Sequence, residues 1–385
     1  MKKYFILTLA IAGLALVSCQ KEKFIENSEA PANEIALKSA TISTKSAIDG
    51  TAFPTGYGML VSAYRNKEST GDYATLDDAS GNYFEGITFT KGSSSNWVAK
   101  TPKYWPLKGK LDFLCIASAG IADATKGVAP TSCTWGESSN VAKKVEAVIP
   151  DNSERFDDIL YGSANAQTYN SGGNQVVFNH AECAVVFFAK SSESYNSTAN
   201  TGITITGISL NNPYTSGVLT VANPKAGDNS SAEDISASWA FPAGSAQTSA
   251  LNARVWDTAN TGVINNEDEL TNLNLKNTYD DVAALDGTAP IPSATTLNNK
   301  FGHAYVILPP QNAVSFTISY TLHNGKEADG TTNLDLNYTY KYTPTTGEKW
   351  EMGKKVIYLI NFTLHEIEIA PVITDWENDF RNVEI

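Results

Sequence analysis

The spacing of turn signals constrains this chain more than any single motif. Strand candidates rich in Val, Ile, Thr and aromatic residues fall at 58–64, 83–90, 97–98, 111–117 and 141–149, parted by Gly, Ser, Asp and Asn clusters at 69–72, 77–82 and 92–96. Short strands at such close intervals leave no room for the crossover helices of βαβ units, so an all-β sandwich is expected. Further candidates follow at 203–210, 217–221, 304–308, 315–322, 334–342 and 356–364, while residues 223–300 are polar and weakly patterned and read as an elaborated loop region. A chain of 385 residues exceeds what one hydrophobic core usually organises. Two domains are therefore expected, 34–170 and 171–385, divided at the polar stretch 165–174 that ends in Ser171, Gly172, Gly173 and Asn174. The run 176–188 that follows is apolar enough to be buried on both faces or to begin a new sheet.

Two terminal stretches have strand character of their own. In 34–46, Ile35 and Leu37 share one parity and Ile42 falls on the other, so the period of two is partial, but the Thr and Ile content and the lack of Pro favour extended backbone. Lys45 closes this stretch, just before the turn-like Asp49-Gly50. Taken alone, it is an ordinary first strand with an exposed lysine. At the other end, Ile367, Ile369 and Val372 alternate through 366–376, and Pro371 confines that stretch to a sheet edge or a break between strands.

The N-terminus carries an address. Lys2 and Lys3 precede an apolar run at 4–17 that is too short to span a bilayer comfortably, the pattern of a secretory signal. Leu16-Val17-Ser18-Cys19 resembles a bacterial lipobox, which implies cleavage between Ser18 and Cys19, removal of 1–18, and diacylation of Cys19. Each buried methylene of such acyl chains adds about 0.8 kcal/mol of membrane affinity. Residues 19–33 are polar and aperiodic and suit a flexible tether. No second long apolar run follows, so no transmembrane helix is expected. A net charge of −13 and a pI near 4.8 leave no basic surface for phosphates, so nucleic acid is not an expected partner.

Residues for chemistry are sparse. Cys115, Cys133 and Cys183 are odd in number, and Cys115 and Cys183 lie within apolar strand candidates, where cysteine serves as a small core residue. His180, His303, His323 and His365 are scattered, with no HExxH, paired CxxC or GxSxG pattern; His180, within an apolar run, reads as a hydrogen-bonded core or edge histidine. No glycine-rich loop opens a helix, so no cofactor is expected. The acidic clusters at 77–78, 157–158, 267–269 and 280–281 lack EF-hand spacing and read as solvated turns, with no metal expected. Asp257-Thr258-Ala259 resembles a short bacterial O-glycosylation signal. Pro102 and Pro106 bracket Lys103, Tyr104 and Trp105, an aromatic pair expected to cover one end of a core. Nothing here assembles a nucleophile with a base, so no enzymatic activity is expected.

An ordered set of motifs points further. The lipobox at Cys19, Tyr104-Trp105-Pro106 before the strand candidate at 111–117, Asp158-Ile159-Leu160-Tyr161, Phe178-Asn179-His180-Ala181, Leu308-Pro309-Pro310-Gln311, Trp350 with Gly353-Lys354, and the closing Ile373-Thr374-Asp375-Trp376 together resemble the fimbrillin-like family, the lipoprotein subunits of type V pili of Bacteroidales bacteria. The resemblance implies two tandem transthyretin-like (Greek-key) β-sandwich domains. It also implies export as a lipoprotein anchored in the outer membrane, proteolytic trimming that frees the first strand, and assembly with other fimbrillin subunits when a terminal strand from the next subunit fills the groove. Lys45 stands at the matching cut position, where the family classically has arginine, so the expected maturation bond is Lys45–Ser46 and the removable strand is 34–45. The segment 366–385 is the candidate terminal strand. The implied role is a pilus subunit with a part in adhesion at the cell surface. The alternative is a monomeric outer-membrane lipoprotein that binds glycans or host ligands, with Tyr104 or Trp135 as stacking residues.

Overall fold

The structure, a computed structural model, describes residues 34–42, 56–65, 82–91, 96–106, 110–138, 142–154, 157–223, 235–255, 268–270, 272–277, 304–363 and 367–375. The signal sequence and tether with Ser18 and Cys19, the Lys45–Ser46 bond and Asp257-Thr258-Ala259 lie outside the described residues. In chain order the elements are β1 (Ala36–Ile42), β2 (Gly58–Arg65), β3 (Asn82–Lys91), β4 (Trp97–Ala99), β5 (Leu111–Ser118), the helical turn α1 (Ala119–Ala122), β6 (Ser132–Ser138), β7 (Ala142–Ile149), β8 (Leu160–Gln167) and β9 (Asn174–His180). They continue as β10 (Cys183–Ser191), β11 (Thr201–Asn211), β12 (Gly217–Asn223), β13 (Ser236–Ala240), β14 (Ala250–Asn252), β15 (Arg254–Val255), β16 (Asp268–Glu269) and β17 (Leu273–Asn274). The last are β18 (Ala304–Leu308), β19 (Gln311–Asn312), β20 (Phe316–Lys326), β21 (Asn333–Tyr342), β22 (Lys349–Trp350), β23 (Lys354–Phe362) and β24 (Ile367–Asp375).

The protein is all-β, as the strand spacing predicts. The first sheet, in the order β1-β4-β3-β2-β5-β8-β9, closes into a barrel. Leu37, Met59, Val61, Phe89, Phe113 and Phe178 belong to the apolar cluster that fills it. Every residue of β5 is buried, because both of its faces are covered. Phe113 and Cys115 join the barrel filling, whereas Leu114 and Ile116 pack with Val145, Ala147 and Leu219 of the sheet β13-β12-β7-β6. That sheet joins β6 and β7 to β12 and β13, and β9 pairs with β8 and β1, so the hydrogen-bonded network crosses the expected division at 170/171. The polar stretch at 165–174 is entered by β8 and left by β9, and its Asn174 side chain is tied to Gln167 and Thr168.

The remaining strands build a second core. Sheets β16-β15-β18-β10-β23-β24 and β14-β11-β20-β21 share the cluster of Val185, Phe187, Ile208, Phe316, Ile318 and Tyr358. Phe187 stacks on Tyr358 at 5.6 Å and meets Phe316 edge-on at 5.0 Å, the arrangement that ring quadrupoles favour. Within the region expected to be loops, 223–300, the structure places β13 to β17. Apart from β13, these have three residues or fewer, too short for periodicity to register in a sequence.

Candidate strand-accepting groove

β1 sits between two neighbours. On one side it runs antiparallel to β4, with Leu37 opposite Trp97, and on the other it runs parallel to β9, with Leu37 opposite Asn174 and Ser39 opposite Val176. A one-residue register shift between Ser39 and Ile42 then sets Ile42 opposite Phe178. That shift lies where the sequence parity changes from Ile35 and Leu37 to Ile42, so the partial alternation corresponds to a bulge in a real strand. Ile35 and Leu37 are fully buried, and burial of such side chains contributes about 1.5–3 kcal/mol each.

The proline-bracketed segment forms the entry to this position. Ile35 N–H donates to the carbonyl of Lys103 at 2.7 Å, and Glu34 bridges Tyr104 through the backbone. Trp105 is buried edge-on against Phe113 at 5.7 Å, and the Tyr83 hydroxyl donates to the Tyr104 carbonyl at 2.7 Å. Removal of β1 would therefore unpair β4 on one side and β9 on the other, release the Lys103 carbonyl, and uncover the apolar positions around Trp97, Val176 and Phe178.

The C-terminal strand is placed differently. β24 pairs antiparallel with β23 along its whole length, Pro371 opposite Tyr358, and forms the last strand of its sheet. Pro371 is exposed, and a residue without an N–H is tolerated on an edge. Ile367 and Ile369 are half-buried against the second core.

Below the end of β9 lies a polar junction that the sequence reading missed. Asp157 and Asp158, read there as a solvated turn, are buried. The Asp157 carboxylate accepts from Ala119 N (3.3 Å), Gly120 N (3.1 Å) and Val128 N (2.8 Å), and Asn152 brackets its backbone on both sides. Gly120 and Gly127 are needed here, since a Cβ at Gly120 would meet the Val128 backbone at 2.2 Å and one at Gly127 the Asp157 carboxylate at 2.2 Å. Asp158 pairs with His180 Nδ1 at 2.9 Å, both side chains fully buried. Glu182 accepts from Ile159 N (3.2 Å) and Asn152 Nδ2 (3.5 Å), Trp239 Nε1 donates to the Ala181 carbonyl at 2.6 Å, and Gly353 N–H donates to the Glu182 carbonyl at 2.8 Å. Burial pushes Asp157 up to about 7 against the pull of its three N–H donors, and it raises Glu182 as well. The signal for this hub was available in the sequence: Asp157-Asp158 abuts the apolar Ile159-Leu160, and His180 and Glu182 flank Ala181 inside an apolar run.

The other candidates are dispersed. Tyr104 is 40% exposed, whereas Trp135 is half-buried against the cluster beneath β6 and β7. Cys115 and Cys183 are buried, Cys133 is partly buried, and all three are free thiols. Among the described residues no group of His, Cys, Asp and Glu has the geometry of a metal site, and no helix is long and apolar enough to cross a membrane.

The all-β architecture agrees with what comparison with known proteins finds. The model of the fimbrillin-like family, a family of structural fimbrial subunits, matches residues 44–376, and the chain belongs to that family. Among solved structures it is similar to a fimbrial protein from Bacteroides vulgatus, at 14% identity and TM-score 0.52 over 89% of this chain and 99% of that one. A candidate cell adhesion protein from Bacteroides ovatus is 12% identical, with TM-score 0.46 over 91% of this chain and 99% of that one. No curated protein sequence matches the chain.

Proposed function

We propose that the chain is a pilin or accessory fimbrillin of a type V pilus, assembled with other subunits by proteolysis-triggered strand exchange and contributing to adhesion to host or bacterial surface ligands. In this reading the precursor is cut between Ser18 and Cys19, lipidated on Cys19 and held at the outer membrane; cleavage at Lys45–Ser46 then frees β1. The groove between β4 and β9 takes a strand from the next subunit, and the segment 366–385 is the donor candidate. The domains are two tandem transthyretin-like sandwiches. The separate clusters around Phe178 and Phe187 favour placing their boundary between β9 and β10 rather than at 170/171.

The observation that carries the reading is the position of β1, with a strand on each side, its Leu37 fully buried and Ile35 just before it fully buried as well. A strand so placed blocks polymerisation while present and, once gone, leaves two unpaired ladders and an apolar slot that a strand from another chain can satisfy. The test is the N-terminus of the protein recovered from assembled fimbriae, read by mass spectrometry. A start at Ser46 is expected, and a lipid-modified Cys19 on fimbrial material would overturn the trimming step.

A further inference from the structure

A different strand points to a second association. Among the described residues β21 has β20 on one side and no strand on the other, and it runs for 10 residues. Of the six large hydrophobics that stand exposed among the described residues, three lie on this one strand: Leu334 (38%), Leu336 (46%) and Tyr338 (45%). They share a parity with Tyr340 and Tyr342, which pack on the second core, so the apolar stripe runs from the core out onto open surface. Long, exposed, apolar edges are what folded proteins usually suppress, and a contiguous apolar strip of this kind marks an interaction surface.

The sequence of β21 is a near-palindrome about Tyr338. Stepping outward in both directions, Asn337 matches Thr339, Leu336 matches Tyr340, Asp335 matches Lys341, and Leu334 matches Tyr342. We propose that β21 is a two-fold interface: the β21 edge of a second copy of this chain pairs antiparallel with it, centred on Tyr338. In this register every apolar position faces an apolar position, and Asp335 of each copy faces Lys341 of the other, giving two opposite-charge pairs. A one-residue slip sets the apolar stripe against the polar face. A slip of two keeps the faces and loses both charge pairs, so the charges select the register.

The two charged groups are suited to this role. Lys341 is exposed. Asp335 Oδ1 is held at 2.8 Å by Asn200 Nδ2 and at 2.8 Å by His323 Nδ1, which fixes the carboxylate on the strand's polar face. These contacts hold its pKa below the ordinary carboxylate value, so the group is charged at neutral pH. Tyr338 stacks on Tyr320 at 5.6 Å and presents a rigid amphipathic surface at the two-fold centre. The pairing uses the intact chain and does not depend on release of β1, so its fate is separate from that of the strand-exchange reading.

Sedimentation equilibrium of the uncut chain from micromolar to millimolar concentration tests the interface. A reversible dimer that dissociates in SDS is expected. Lys341→Asp sets like charges opposite each other at both pairs and weakens the dimer about tenfold or more; Asp335→Lys does the same from the other side. An equimolar mixture of these two variants restores both opposite-charge pairs and regains the dimer as a heterodimer, with circular dichroism confirming that each variant is folded. Should Asp335→Lys unfold, Lys341→Asp decides alone, by loss of the dimer or its persistence. A wild-type chain that stays monomeric throughout, or a Lys341→Asp variant that dimerises as well as the wild type, overturns the proposal.

Discussion

β1 and β24 are both terminal, both alternate apolar with polar residues, and both lie in mixed sheets, yet the fold uses them in opposite ways. β1 has a neighbour on each side, and its Leu37 and the preceding Ile35 are fully buried, whereas among the described residues β24 has one neighbour, an exposed proline, and Ile367 and Ile369 half-buried. Loss of an edge strand merely moves the edge by one strand. Loss of an interposed strand would open a slot with two unpaired ladders, and the proposed gate and donor roles rest on that asymmetry.

The largest effect that would break this comparison comes from a charge placed in each strand in turn. Leu37→Asp puts an unpaired carboxylate in the barrel core and is expected to cost about 5 kcal/mol or more. Ile369→Asp, beside solvent on the edge strand, is expected to cost under about 2 kcal/mol. Chemical denaturation measures both, and equal losses would remove the distinction between gate and edge.

The junction beneath β9 sharpens the comparison through pH. Burial raises Asp157 from 3.8 to about 7, so the folded state binds this proton more tightly than the unfolded chain does. Its contribution is full below pH 3.8 and declines as pH rises toward about 7, by an amount the three N–H donors moderate. Urea midpoints taken across that interval should fall with pH in the wild type, after correction for other groups by the same series in Asp157→Asn, where this component is absent. A wild-type profile with the same slope as the variant would show that Asp157 is ionised throughout. The smallest effect is at Pro371: replacement by Ala on an exposed edge should shift stability by less than about 1 kcal/mol. A larger loss would mean that the edge is constrained by more than its single neighbour.

How far the sequence could be read follows the same physics. The strands at 111–117, 304–308 and 356–364 were legible because burial on one or both faces leaves an apolar run, and β1 and β24 because local alternation survives at both ends. Their partners were not legible. Pairing of β1 with β9, or of β12 with β7, joins residues far apart in sequence, and nothing in a period of two names the neighbour. β8 escaped notice because its Gly162, Ser163 and Ala164 are small residues set in a tightly packed sheet, where a Cβ at Gly162 would meet the Val177 carbonyl at 2.4 Å. Asp157 and Asp158 were misread because charged pairs are usually solvated. Here backbone donors and His180 replace the water. The cut site at Lys45 stands on sequence and family resemblance alone.

The central claim, that β1 is a gate, is tested most directly by removing it. A chain beginning at Ser46, refolded either alone or in the presence of a peptide spanning 34–45, should divide into two outcomes visible on a gel run in SDS without heating. Without peptide it is expected to form a ladder of SDS-resistant multimers; with excess peptide supplied during refolding, the slot is filled and the protein remains monomeric. A folded chain from Ser46 that stays monomeric with no peptide present would contradict the account.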